Sequence, residues 1–168
     1  MSAAIPIKLL PSNRQVLHVT EVDRITADNW TVAFPSDWVD HTDEDGTMYL
    51  ESPDKSKGFY VALWSMSDEE ARSPEELVQT FQETELESYF PKNEDWELES
   101  RSVDATALPV AGYWAGYSKS RAYRISGKQL AAGKFVLRAT FHDYYATSQG
   151  SSAEFFAPIV DSLELHNT

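Results

Sequence analysis

The sequence predicts an α+β domain, an antiparallel β-sheet flanked by two main helices. Three observations predict it. Apolar residues alternate with period two over much of the chain, as on strands that bury one face. Two stretches, one mid-chain and one near the end, switch to helical spacing. Turn residues cut the strand-like runs into short segments in succession, the pattern of a meander. The 168 residues and an apolar fraction of 42% fit one domain with an ample core.

Residues 1–15 read as an N-terminal arm, broken by Pro6, Pro11 and Ser12-Asn13, and residues 16–168 as a single domain. Val16 to Ile25 is expected to be one strand. Asn29 to Phe34 follows, with Trp30, Val32 and Phe34 on one face, and Pro35-Ser36-Asp37 ends it. Residues 40–46 form a polar turn, and 47–52 a strand. Gly58 to Met66 is the strongest strand. Phe59, Val61 and Leu63 point one way and Tyr60, Ala62, Trp64 and Met66 the other. With both faces apolar it is central, or one face lines a groove.

Ser73-Pro74-Glu75-Glu76 is a helix start, with Ser73 as cap, Pro74 at the first helical position and Glu76 completing a capping box. Leu77, Val78 and Phe81 form its apolar stripe, and Leu86, Tyr89 and Phe90 continue it out of phase. Glu75, Glu76, Glu83, Glu85 and Glu87 make an acidic outer face, and Pro91 stops the helix. Strands are expected over 96–103, 111–119, 121–126 and 134–143, with a turn at Gly127-Lys128. Gly112 and Gly116 share the Trp114 face and leave room for a neighbour there. A last helix starts near Ser151, with Phe155, Phe156, Ile159, Val160 and Leu163 at helical spacing and Pro158 inside it.

The formal net charge is −13. Such a field repels nucleic acid and anionic membranes and attracts basic partners. Asp68 to Glu99 holds twelve acids against Arg72 and Lys92, while Ala105 to His142 holds six bases and no acid, so an electrically bipolar fold is expected. Asp40, Asp43, Glu44 and Asp45 form an acidic candidate docking site. No stretch approaches the roughly 20 apolar residues of a membrane span, and Pro6, Lys8 and Pro11 interrupt any signal-peptide core, so a cytoplasmic location is expected. The absence of cysteine excludes disulfides and thiolate chemistry.

No cofactor motif or catalytic constellation is legible, so neither cofactor nor metal is expected, and the chain is expected not to be an enzyme. The four histidines lack metal spacing. His142 and Asp143 are strand neighbours that point to opposite faces, so they make no catalytic pair. His41 to Gly46 fits a calcium loop only in the middle; His41 and Ser52 stand where Asp and Glu are needed. There is no G-x-S-x-G, G-x-G-x-x-G or P-loop. The aromatics exceed what two short helices cover. Tyr60, Trp64, Tyr113, Trp114 and Tyr117 are therefore the candidate lining of a groove for a partner segment.

The phrase Trp30-Thr-Val-Ala-Phe34-Pro35-Ser36-Asp37-Trp38 resembles the opening of PsbP-like and DcrB-like domains, where an early strand ends in a Pro-x-x-Trp turn. The resemblance spans roughly Val16 to Leu165. It implies a sheet flanked by helices and a non-enzymatic role. Members include cytoplasmic chaperones of secreted effectors, which hold apolar segments against the sheet as dimers. It carries over only Phe34, Pro35 and Trp38, in structural roles. The expected function is a protein-binding accessory chaperone or adaptor, with homodimerisation as part of that reading. Two alternatives stand beside it: an acidic immunity protein neutralising a basic toxin, and a small-ligand binder or enzyme with a pocket above about 300 Å³.

Overall fold

The computed structural model describes residues 8–9, 15–19, 22–44 and 47–166. Twelve strands and two helices are defined among them. Strands β5 (Val39–Asp40), β6 (Met48–Glu51), β7 (Lys57–Ser65), β11 (Phe135–Asp143), β10 (Tyr123–Ala132), β9 (Val110–Ser118) and β8 (Trp96–Asp104) lie side by side in that order, every pair antiparallel. Strand β1 (Lys8–Leu9) also pairs with β7, at Trp64 and Ser65. A second sheet, absent from the sequence expectation, runs β12 (Glu164–Leu165), β4 (Trp30–Pro35), β3 (Val22–Thr26), β2 (Gln15–Val19). The expected single strand over 16–25 is thus a hairpin, β2 against β3. Most of the expected arm lies outside the described residues, but Lys8–Leu9 and Gln15 belong to strands.

The large sheet divides the molecule. On its first face, Phe59, Val61 and Leu63 of β7 meet Leu137, Ala139 and Phe141 of β11 and Leu130 of β10. The second sheet packs on this face through Ile25, Trp30, Val32 and Phe34, and helix α2 (Gln149–Ser162) through Phe156 and Ile159. Trp38 closes this core against Phe59 and Phe156, so the Pro-x-x-Trp phrase is structural. On the second face lies helix α1 (Pro74–Tyr89), packed chiefly on β9 and β10.

α1 begins as its residues dictate. The Ser73 hydroxyl accepts from the Glu76 N–H (3.2 Å) and the Glu76 carboxylate accepts from the Ser73 N–H (2.7 Å). α2 starts earlier than expected, because Ser148, not Ser151, is the cap: its hydroxyl accepts from the Ser151 N–H. The helix continues through Pro158 to Ser162.

Two further expectations change. Gly127-Lys128 is no turn, because β10 runs through it and the chain reverses after Ala132, where Gly133 takes a left-handed φ of 55°. Gly127 is there because the Trp114 indole lies directly against it, in the space a Cβ would need. Nor is the fold bipolar. The basic strands lie beside the acidic segments, and their charges interleave: Arg121 with Glu94, Arg124 with Glu99, Lys134 with Asp68 and Arg138 with Glu85.

Candidate functional site

Neither helix spans the full width of the sheet, and each leaves an open region. On the second face α1 packs chiefly on β9 and β10, so the β6–β7 side is only partly covered beyond Tyr89, where Tyr60 stays exposed. On the first face α2 and the small sheet stop short of β8 and β9.

The first open region is a groove of about 220 Å³ lined by Thr47, Tyr60, Ala62, Trp64, Tyr89, Arg138 and Thr140. Its floor includes the strand face that the sequence marked, with Tyr60 36% exposed and Trp64 half-buried. Trp64 also packs against Phe81 of α1 (6.4 Å between ring centres). Beneath the groove sits a polar hub. Glu85 is buried and pairs with Arg138. Its Oε2 accepts from the Trp114 indole N–H (2.6 Å) and from the Gln129 amide (2.5 Å). Burial pushes the Glu85 carboxyl up, against the pull of Arg138 and of the Trp114 and Gln129 donors. Arg138 also donates to the Tyr89 hydroxyl (3.1 Å). Glu85 therefore does not belong to the acidic outer face of α1. An apolar-periodicity search passes over it, since it occupies a core position with a charged residue.

Next to the hub, His142 is buried among Tyr60, Tyr89, Tyr123 and Tyr144. Its Nδ1 is 2.6 Å from the Tyr123 hydroxyl and its Nε2 is 3.2 Å from Thr140 Oγ1. Burial, with the Arg138 charge behind it, lowers its pKa to about 4. Asp143 points to the other sheet face and pairs with Lys57 (3.8 Å).

The second open region is a cleft of about 370 Å³ between α2 and the outer strands. Ala111 and Tyr113 of β9 form one side and Ala153, Phe156, Ala157 and Val160 of α2 the other, with Ser102, Asp104, Lys128 and Asp161 among the polar lining. The Lys128 ammonium donates to the carbonyls of Val160 (2.7 Å) and Leu163 (3.2 Å), capping the end of α2, and burial lowers its pKa. Farther along this face, Arg124 is buried beneath Glu99 (3.1 Å) and the Tyr113 hydroxyl (3.4 Å). β8 forms the edge of the sheet: its nine residues are almost all exposed, and a bulge interrupts its register between Leu98 and Ser100.

The five aromatic candidates therefore do not form one cluster. Tyr60 and Trp64 line the groove on the second face. Tyr113 lines the cleft on the first face, and Tyr117 shares its strand face. Trp114 has no exposure and serves the core: it lies under α1 against Phe90 (5.4 Å) and Tyr89 (5.8 Å), so it cannot touch a partner in this fold. The neighbour that Gly112 and Gly116 admit is α1 itself, through Val78 and Phe90. Asp40, Asp43 and Glu44 are exposed at the β5–β6 edge, opposite β8, and Asp45 lies outside the described residues. The α2 side of the cleft went unnoticed in the sequence. Its signal was Ala153 and Ala157, small residues one helical turn apart beside Phe156 and Val160.

Among the described residues no cluster of His, Cys, Asp and Glu could hold a metal ion, and no helix is long and apolar enough to cross a membrane. No family model matches the sequence, and no curated protein does. Solved structures do resemble it. The cyanobacterial PsbP protein (CyanoP) of Synechocystis sp. PCC 6803 superposes with a TM-score of 0.63 at 9% identity, over 89% of this chain and 95% of that one. LpqN of Mycobacterium tuberculosis, described as involved in cell envelope biogenesis, gives 0.59 at 12% identity over 93% and 92%. A Bacteroides thetaiotaomicron protein gives 0.51 at 15% identity, over 82% of this chain but 45% of that longer one. At these identities the likeness concerns the fold, which is PsbP-like.

Proposed function

We propose that this chain is a non-catalytic protein-binding module, an accessory chaperone or adaptor of the kind found among DcrB-like proteins that accompany secreted effectors. It holds a partly apolar partner segment in the cleft between α2 and the β8–β9 face. The observation that supports this reading is the cleft itself: apolar side chains from a helix and a sheet leave about 370 Å³ unfilled beside an exposed sheet edge. A small-ligand role is the second reading, because the same volume lies within the ordinary range of ligand pockets.

The test uses Ala157→Trp, which fills the cleft from an exposed helix position. Tagged wild type, Ala157→Trp and Trp64→Asp are used to capture partners from the native cell at low and high salt. A stoichiometric protein held by wild type and Trp64→Asp but lost by Ala157→Trp supports the reading. Loss only with Trp64→Asp moves the site to the groove over β7. A partner kept by both variants and released by salt points instead to the acidic β5–β6 edge and an immunity role. Capture of no protein at either salt sinks the module reading in favour of a small ligand.

A further inference from the structure

Resting on the protein-binding reading above, we infer that the segment the cleft takes is amphipathic and cationic, with apolar side chains for the cleft and lysine or arginine flanking them. The two walls carry acids at their rims. Asp104 stands at the end of β8 and Asp161 on α2, both exposed. Thr106 holds the Asp104 carboxyl below its usual range through its N–H and hydroxyl, so this charge is permanent at neutral pH. Glu154 precedes Asp161 by seven residues, two helical turns, and so falls on the same side of α2. Along the sheet, Glu97 stands in register with Tyr117, and Glu99 covers Arg124.

The two cations nearest the cleft are already engaged. Arg124 is committed to Glu99 and Tyr113, and the Lys128 ammonium to two carbonyls of α2. Of the charged residues that line the cleft itself, Asp104 and Asp161 stand against Lys128 alone, and Glu164 also faces that ammonium. An anionic ligand meets repulsion on both walls. A wholly apolar segment would bring its flanks past rim carboxylates and gain nothing from them. A segment with basic flanks fills the cleft and pairs with the rims, and the net −13 of the whole chain steers it in.

The experiment uses three labelled twelve-residue peptides that share one Leu/Val core and carry Lys, Ser or Glu at both ends. Their affinities for the full chain are read by fluorescence anisotropy at low and high salt. The Lys-flanked peptide is expected to bind about tenfold tighter than the Glu-flanked one, with Ser between, and the spread should shrink as salt rises. In a Glu154→Lys/Asp161→Lys double variant the order should narrow or invert. Ala157→Trp should abolish binding of all three. Equal affinity for the Lys and Glu peptides, or an order unchanged in the double variant, overturns the cationic inference and leaves the module reading standing. No binding of any peptide to the wild-type chain overturns both. The substituted acids are exposed, so circular dichroism should show the native fold in the double variant.

Discussion

The two helices meet the same sheet in opposite ways. α2 docks by oil: Phe156 and Ile159 join a continuous apolar core with Trp38, Phe59 and Phe141. α1 docks half by oil and half by polarity. Its N-terminal half buries Leu77, Val78 and Phe81, but its next inward positions are Gln82 and Glu85. The sheet beneath has been shaped for that. Gly112, Gly116 and Gly127 open the space that Val78, Phe90 and the Trp114 indole fill, and the indole N–H reaches Glu85. An apolar interface tolerates small shifts, whereas a buried carboxylate with three donors fixes one seating of its helix. The difference fits the two open regions. Beside the fixed helix the groove contains the Arg138 guanidinium, held in place by Glu85 and Tyr89. Beside the apolar helix the cleft is larger and its own lining is mostly apolar.

Removing the hub should break the contrast most strongly. Glu85→Ala strands the partly buried Arg138 and leaves the Trp114 and Gln129 donors without their acceptor. It should cost about 3 kcal/mol of stability by urea denaturation. Glu85→Gln keeps an acceptor and should cost clearly less. Equal, small losses in both would mean that α1 is seated by its apolar half alone.

The α1 side should also be the acid-sensitive side. An unfolded histidine takes up a proton near pH 6.5, but the folded His142 does so only near 4. Between those values the unfolded chain binds more protons, so stability falls as pH drops through this window. The loss between neutrality and pH 5 should be about 2 kcal/mol. His142→Phe should flatten that part of the stability–pH curve, measured by denaturation at several pH values. An unchanged slope would mean that the aromatic nest around His142 admits water on protonation.

How much of this was legible beforehand follows from the same contrast. Apolar period and caps mark α2's inward residues, the capping box of α1, and the strand faces of β7 and β11. Those signals depend on the residues of one segment. The hub was not legible, because Glu85 looks like its solvent-facing neighbours on α1 until Trp114, Gln129 and Arg138 arrive from three strands. The small sheet was missed for a related reason. Val19 and Val22 read as one run, and nothing local marks the reversal between them. Gly127-Lys128 misled because a glycine required by a neighbouring strand's indole has the same sequence signature as a turn glycine. The candidate aromatics were found as residues but not as a surface, since strand alternation puts Tyr113 and Trp114 on opposite sides of the sheet.

Lys128 gives the finest test of the comparison, because it is the half-buried charge of β10 that meets α2. Its ammonium caps the end of the helix, as Glu85 anchors α1, yet its setting differs. The Val160 and Leu163 carbonyls adjoin an open cleft, so water can take the place of the lost donor. Met in its place keeps much of the apolar stem that crosses the cleft floor. Lys128→Met should therefore cost no more than about 1 kcal/mol, well below the loss for Glu85→Ala, when both are measured by urea denaturation at neutral pH. The same change removes the positive charge that faces Asp161, so the Lys-flanked peptide should bind Lys128→Met more tightly than wild type. A loss as large as that of Glu85→Ala would mean that α2, too, is seated by a charge, and the contrast between the two helices would collapse.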